Sequence, residues 1–352
     1  MKIVSVVGAR PQFIKAAAVS RVLRQRHQEL LVHTGQHYDY GLSQVFFDEL
    51  DLPQPDLNLG VGSGPHGEQT GAMLAAIERV LIQQRPDWVL VYGDTNSTLA
   101  GALAAVKLHM PVAHVEAGLR SYNRSMPEEI NRVLTDHVSS LLFCPTETAA
   151  RNLAAEGISQ GVHLVGDVMY DALLHSRALG AKKGDVLGRF GLVPKQYLLA
   201  TVHRPANTDD AGRLRAILEA FGQLGETILF PAHPRTRKAL AREGLDVPEN
   251  VWVVDPVGYL EMLQLEEQAR LILTDSGGVQ KEAYLLGVPC VTLREETEWV
   301  ETVEAGWNRL VGADGRALLA AVREWEPPAD RPNCFGDGRA SERIVALLGS
   351  TK

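Results

Sequence analysis

The sequence predicts an α/β protein of two doubly wound parallel-sheet domains, and three observations carry that prediction. Short β-branched apolar runs alternate with longer segments of helical period; the rhythm restarts after about residue 170; and polar, ionisable residues recur where the apolar runs end. The 352 residues suit two domains, since one domain takes roughly 100–200. A hydrophobic content of 45% with 22% charged residues excludes wholesale disorder. A formal net charge of −8 disfavours a partner held by broad phosphate attraction, so no nucleic acid is expected, while a small anionic ligand needs only a local basic site.

Taken in order, strands are predicted at residues 3–7, 30–33, 88–91, 112–115 and 141–143, with helices at 13–26, 68–84, 97–108 and 128–138 between them. Continuously apolar strands joined by helical crossovers imply a parallel sheet covered on both faces. The second half repeats the scheme with strands at 197–202, 227–231, 251–254, 271–273 and 290–293. The boundary is placed at Gly166-Asp167, giving domains of residues 1–167 and 168–337. A proline-rich stretch at 327–332 precedes an amphipathic terminal helix, within 338–352, expected to pack back on the first domain. Cys144, Cys290 and Cys334 are odd in number and widely spaced, which suits free thiols in a reducing compartment. The first residues read as a buried strand and not as a targeting signal, and no run reaches the roughly 18 apolar residues of a membrane span. A cytoplasmic protein with no membrane partner is expected.

Open parallel sheets bind ligands beyond the carboxyl ends of their strands. Those ends carry Gly8-Ala9-Arg10-Pro11-Gln12 with Lys15, then Gly93-Asp94, then His114-Val115-Glu116; in the second half they carry His203-Arg204, His233 and Asp275-Ser276-Gly277-Gly278. Ser276-Gly277-Gly278 stands between an apolar strand and a helical pattern, where backbone N–H groups and about half a positive charge favour a phosphate. An ordinary strand-to-helix turn explains that motif equally well by itself. Arg10, Lys15, His203 and Arg204 at other strand ends tilt the balance towards a diphosphate held by both domains. Glu282 suits hydrogen bonds to ribose hydroxyls, against the blander reading of a solvated helix carboxylate. No G-x-x-x-x-G-K-[ST] occurs, Gly60-Val61-Gly62-Ser63-Gly64 follows no strand, and the histidines lack ligand spacing; no NAD, other cofactor or essential metal is expected. Asp94, Glu116 and Glu128 fall in one half of the chain; a lone carboxylate at such a position is more often a cap or an ion-pair partner than a catalyst, but three beside a possible phosphate site are less easily dismissed.

The set GARPQFIKAAAV (8–19), HTGQHYD (33–39), VYGDTNSTLAG (91–101), HVEAGLRS (114–121), MPEEINR (126–132), TVHRP (201–205) and LTDSGGVQKEA (273–283) closely resembles the non-hydrolysing UDP-N-acetylglucosamine 2-epimerases. The resemblance implies a glycosyltransferase-B-like fold of two Rossmann-like domains with a UDP-sugar substrate in the cleft, a homodimer, and interconversion of UDP-GlcNAc with UDP-ManNAc. It implies anti elimination of UDP to 2-acetamidoglucal followed by re-addition. By the same resemblance Asp94, Glu116, Glu128 and His203 are catalytic, with Asp94 and Glu128 as the C2 proton-transfer pair, Glu116 positioning or assisting, and His203 stabilising the departing phosphate. Arg10, Lys15, Arg204, Ser276, Gly277, Gly278 and Glu282 are expected to bind the nucleotide.

Three departures from the family pattern matter. Ala206 stands where many members carry an acidic residue. Gln36, His37 and His233 match positions used by members activated by a second UDP-GlcNAc, but Gly62-Ser63-Gly64-Pro65-His66 lacks their arginine, which argues against such activation. Glu298-Trp299-Val300-Glu301 replaces the common Glu-Arg-Pro-Glu and looks like the subgroup acting on UDP-2,3-diacetamido-2,3-dideoxyglucuronate. A glycosyltransferase of the same architecture and a non-catalytic UDP-sugar sensor are the rival readings.

Overall fold

The computed structural model describes residues 1–36, 54–181 and 184–350. The chain divides into two compact units, one of Met1–His175 with Asn333–Lys352, the other of Ser176–Pro332. Among the described residues the first unit holds a seven-stranded parallel sheet of β1 (Lys2–Val7), β2 (Gln28–His33), β3 (Leu57–Asn58), β4 (Trp88–Tyr92), β5 (Val112–Val115), β6 (Leu141–Cys144) and β7 (Val162–Leu164). Its order is β3-β2-β1-β4-β5-β6-β7. The second unit holds β8 (Leu198–Thr201), β9 (Ile228–Pro231), β10 (Val251–Val254), β11 (Leu271–Thr274), β12 (Cys290–Thr292) and β13 (Asn308–Leu310), ordered β10-β9-β8-β11-β12-β13.

Both sheets are doubly wound, because the chain first builds outward in one direction and then returns to the centre to build in the other. The reversal falls between β1 and β4 in the first unit and between β8 and β11 in the second. At such a point the two crossovers leave in opposite directions and open a crevice beyond the strand ends. The central strands are mostly apolar because helices cover both faces, Ser5 in β1 and His114 in β5 being buried polar exceptions: Val4, Val6, Val89 and Val91 are fully buried in one sheet, Leu198, Ile228 and Leu273 in the other. Fully burying one such side chain contributes about 1.5–3 kcal/mol.

The edge strands β3, β7 and β13 depart from the apolar pattern. The β3 pair is exposed, β7 is only partly covered and contains His163, and β13 reads Asn308-Arg309-Leu310. An edge strand has neighbours on one side only, so it loses the continuous hydrophobic run that marks a central strand. The terminal helix Ala340–Ser350 belongs to the first unit, where the Asp171 carboxylate accepts from the N–H groups of Ala340 (3.1 Å) and Ser341 (2.7 Å). No helix among the described residues is long and apolar enough to cross a membrane.

Candidate active site

In the first unit, the loop after β1 is tied to the end of β4 by Gln12. Its Oε1 accepts from the N–H groups of Gly8 (2.8 Å) and Ala9 (3.0 Å), and its Nε2 donates to the Tyr92 carbonyl (2.8 Å) and Thr98 Oγ1 (2.9 Å). This buried amide therefore spans the reversal point of the sheet. Gly8 is required there by close approach, since a Cβ would lie 2.1 Å from Thr34 Oγ1 and 2.2 Å from Ser97 Oγ. Arg10 opens the helix Arg10–Leu23, and Lys15, a turn further on, forms a buried ion pair with Glu116. The Lys15 ammonium, expected to serve a phosphate, is thus directed at a carboxylate.

Asp94 follows β4 and pairs with Arg132 on the helix Pro127–Val138. Arg132 also donates to Glu129 (2.9 Å), which accepts from the N–H groups of Ser121 and Tyr122 (both 2.9 Å). Burial works to lower the Arg132 pKa, but the carboxylates of Asp94, Glu129 and Glu116 outweigh it and hold it above the ordinary range. Gly93 joins the two acidic positions. Its φ of +62° is one that L side chains rarely adopt, and a Cβ there would lie 3.2 Å from Lys15 Nζ and 3.3 Å from Glu116 Oε2. Asp94 and Glu116 therefore belong to one cluster with Lys15 and Arg132. Glu128 is exposed, and no hydrogen bond or ion pair holds it among the described residues.

Asn131 Nδ2 donates to the Asp94 carbonyl (2.9 Å) and to Asn96 Oδ1 (3.2 Å), locking the start of the helix Asn96–Lys107 to the acidic cluster. Gln36 Oε1 accepts from the Ser97 N–H (3.1 Å) and Oγ (2.6 Å), so this residue, matched to an allosteric position by sequence, also braces that helix start. His37 lies outside the described residues.

In the second unit the loop after β8 is held by Asp275, which is fully buried beyond β11. Its carboxylate accepts from the N–H groups of His203 (3.0 Å) and Arg204 (3.0 Å) and from Asn207 Nδ2 (3.1 Å). His203 Nδ1 lies 3.6 Å from the same carboxylate, with the side chain 41% exposed. His233 caps the helix Pro234–Glu243 and its ring centre lies 6.1 Å from that of His203. The structure thus brings this histidine, matched by sequence to an allosteric position, beside the expected catalytic one.

Ser276 caps the helix Gly277–Leu286, its Oγ accepting from the Val279 N–H at 3.5 Å. A Cβ on Gly278 would approach only Ser276 Oγ, at 3.8 Å, so the backbone at that glycine stays accessible, whereas Gly277 is packed against Glu298. Further along the helix, Glu282 Oε1 accepts from the Tyr259 hydroxyl (3.0 Å). Burial pushes the Glu282 carboxyl up to about 7, against the opposing effects of the Tyr259 hydroxyl and the Lys281 charge. Lys281 is itself buried, with its ammonium 4.0 Å from the centre of the Trp299 ring.

From the sequence, Gln12 and Asp275 stand out only as strand-end residues and Trp299 only within a segment bearing on the sugar, and no role falls to Arg132 or Tyr259. Only Arg132 carried a usable local signal, three residues after Glu129 and four after Glu128 on one helix. Among the described residues no group of three or more His, Cys, Asp or Glu is disposed to hold a metal ion.

A family model described as UDP-N-acetylglucosamine 2-epimerase matches residues 21–349. A UDP-N-acetylglucosamine 2-epimerase homolog of Methanococcus maripaludis is 56% identical, with 99% of each chain covered. The UDP-2,3-diacetamido-2,3-dideoxy-D-glucuronate 2-epimerase of Pseudomonas aeruginosa is 49% identical, again over 99% of each. The crystal structure of Methanocaldococcus jannaschii UDP-GlcNAc 2-epimerase in complex with UDP-GlcNAc and UDP is 48% identical and superposes with a TM-score of 0.89, covering 99% of both chains. With the family match spanning nearly the whole chain and both sheets wound alike, the protein belongs to the UDP-N-acetylglucosamine 2-epimerase family.

Proposed function

We propose that the protein interconverts UDP-GlcNAc and UDP-ManNAc by eliminating and re-adding UDP, with proton transfer assigned to the first unit and nucleotide capture to the second. The observation that carries this reading is the cluster of Asp94 and Glu116 around Lys15 and Arg132. A hydrogen on C2 of the sugar is not alpha to a carbonyl, so its removal is coupled to departure of the group on C1. A carboxylate takes the C2 proton while the bond from C1 to the phosphate oxygen breaks, leaving its electron pair on UDP and a double bond between C1 and C2. A second acid then returns a proton to the opposite face of C2 as the UDP oxygen attacks C1. Two acid–base groups are needed for inversion, and Asp94 with Glu128 is the proposed pair. The exposed Glu128 side chain has the freedom to reach a ligand, while Glu116, fixed by Lys15, positions or assists. His203 and Arg204, with the helix start at Ser276-Gly277-Gly278, stabilise the departing diphosphate; Arg10 contributes from the first unit.

The second reading keeps this chemistry and changes the sugar to the diacetamido uronate. It is supported by the Glu298-Trp299-Val300-Glu301 segment and the 49% identical Pseudomonas relative. Incubation with each sugar in D₂O, without any acceptor, decides between them: deuterium is expected at C2 of the native substrate. No exchange there, with sugar transfer once an acceptor is added, would identify a glycosyltransferase, and binding with neither exchange nor transfer would identify a sensor. A homodimer and a cytoplasmic setting belong to the same proposal through family membership, and sedimentation checks the first.

Glu282 gives this proposal a pH signature. Only the ionised carboxylate can accept from both ribose hydroxyls, and with its pKa near 7 the ionised fraction falls about tenfold between pH 8 and pH 6. UDP affinity measured by calorimetry is expected to weaken by about that factor over the interval. Glu282→Gln, compared at each pH so that the ligand's own titration cancels, is expected to lose the dependence; an unchanged dependence places it elsewhere.

A further inference from the structure

We infer that His114 and Asp136 form a positioning pair that holds the two loops bearing Asp94 and Glu116 in register for proton transfer. His114 lies near the end of β5 and is fully buried. Its Nε2 is 2.7 Å from the Gly93 carbonyl oxygen, and its Nδ1 is 2.7 Å from Asp136 Oδ1. A carbonyl can only accept, so Nε2–H donates to it. Asp136, on the helix Pro127–Val138, uses its other oxygen to accept from the Gly118 N–H (3.1 Å) and Arg120 Nη1 (2.7 Å). Arg120 is in turn held by both Glu156 oxygens, at 2.7 and 2.8 Å. The pair therefore reaches the peptide group that leads into Asp94 on one side and the turn that follows Glu116 on the other.

Both turns depend on this support, since Gly93 and Glu116 have φ of +62° and +72° and Gly118 has +82°. A non-glycine residue such as Glu116 is strained in that region and persists there only where neighbours impose it. Asp136 is ionised to do so: burial works to raise its pKa, but His114 and Arg120 outweigh burial and hold it below the usual carboxylate range. The pair touches no reacting atom. Its effect is on where Asp94 stands, and a misplacement of about 1 Å in a reacting group can cost about 10²-fold in rate.

This inference rests on the reading of Asp94 as a proton-transfer group, and the experiment separates the two. C2 deuterium exchange, kcat and KM for UDP-GlcNAc and the diacetamido uronate, and calorimetric UDP affinity are measured for the intact wild-type protein, His114→Gln and Asp136→Asn. In each variant kcat is expected to fall about 30- to 100-fold, with KM and UDP affinity within about threefold. A general loss of structure would weaken both together. Wild-type protein that exchanges neither sugar would defeat the functional reading; wild-type exchange with kcat unchanged in both variants would defeat the positioning role alone. Should both variants fail to fold, proton NMR of wild-type protein with labelled histidine decides. A slowly exchanging, hydrogen-bonded Nε2–H of His114 supports the link to Gly93, and its absence overturns it.

Discussion

Asp94→Asn is expected to cut deuterium entry at C2 by about 10³-fold or more while UDP affinity stays within about threefold. The substitution preserves size and leaves an oxygen that can accept from Arg132, so the geometry of the pair survives. What disappears is the ability to take a proton. The Asp94 side chain is 29% exposed, and the buried Arg132 keeps its bond to Glu129 and an amide oxygen to donate to, so the fold is expected to survive. Rate loss without unfolding is therefore the discriminating outcome, measured by NMR exchange beside a thermal melt. Near wild-type exchange would move the proton-transfer role to another carboxylate, with Glu116 the first to test.

The central architecture and the acidic cluster were legible for one reason. Strands such as β1, β4, β8 and β11 are buried on both faces, so their sequences are almost entirely apolar, and the polar residues where they stop are conspicuous. Asp94, Glu116, His203 and Ser276 were found in this way. What connects those residues was less visible, because the links join distant parts of the chain: Gln12 reaches the Tyr92 carbonyl 80 positions away, and Lys15 reaches Glu116 at a separation of 101. No local pattern encodes such a pairing. Glu128 and Glu129 show the complementary difficulty, being adjacent and chemically alike yet exposed and buried respectively. Successive residues on a helix point about 100° apart, so which one faces inward depends on how the helix packs. His233 illustrates a third kind of gap, because its match to an allosteric position gave no hint that its ring would lie beside His203.

Glu266→Gln is expected to flatten the pH dependence of the second unit's stability above about pH 4.5, where a proton held by the native state alone gives a slope of about 1.4 kcal/mol per pH unit. Glu266 lies on the helix Tyr259–Gln268, is fully buried, and neither carboxyl oxygen has a hydrogen-bond partner. Burial, reinforced by nearby Glu282, raises its pKa well above the ordinary 4.5. The native state therefore keeps the proton at a pH where the unfolded chain has released it. Stability from this group is complete below about pH 4.5 and is lost as pH rises towards the native pKa, so the wild-type protein should weaken across the interval. Glutamine is neutral throughout and similar in shape, so the variant should gain on the wild type as pH increases. Urea unfolding followed by tryptophan fluorescence reads the relevant unit, because Trp252, Trp299, Trp307 and Trp325 lie within Ser176–Pro332 and only Trp88 lies in the other. The contribution of Glu282 persists in both proteins and ends near pH 7, so the difference between them isolates Glu266. Parallel curves for the two proteins would mean that Glu266 is ionised in the native state, and that the interior of this unit accommodates its charge beside that of Glu282.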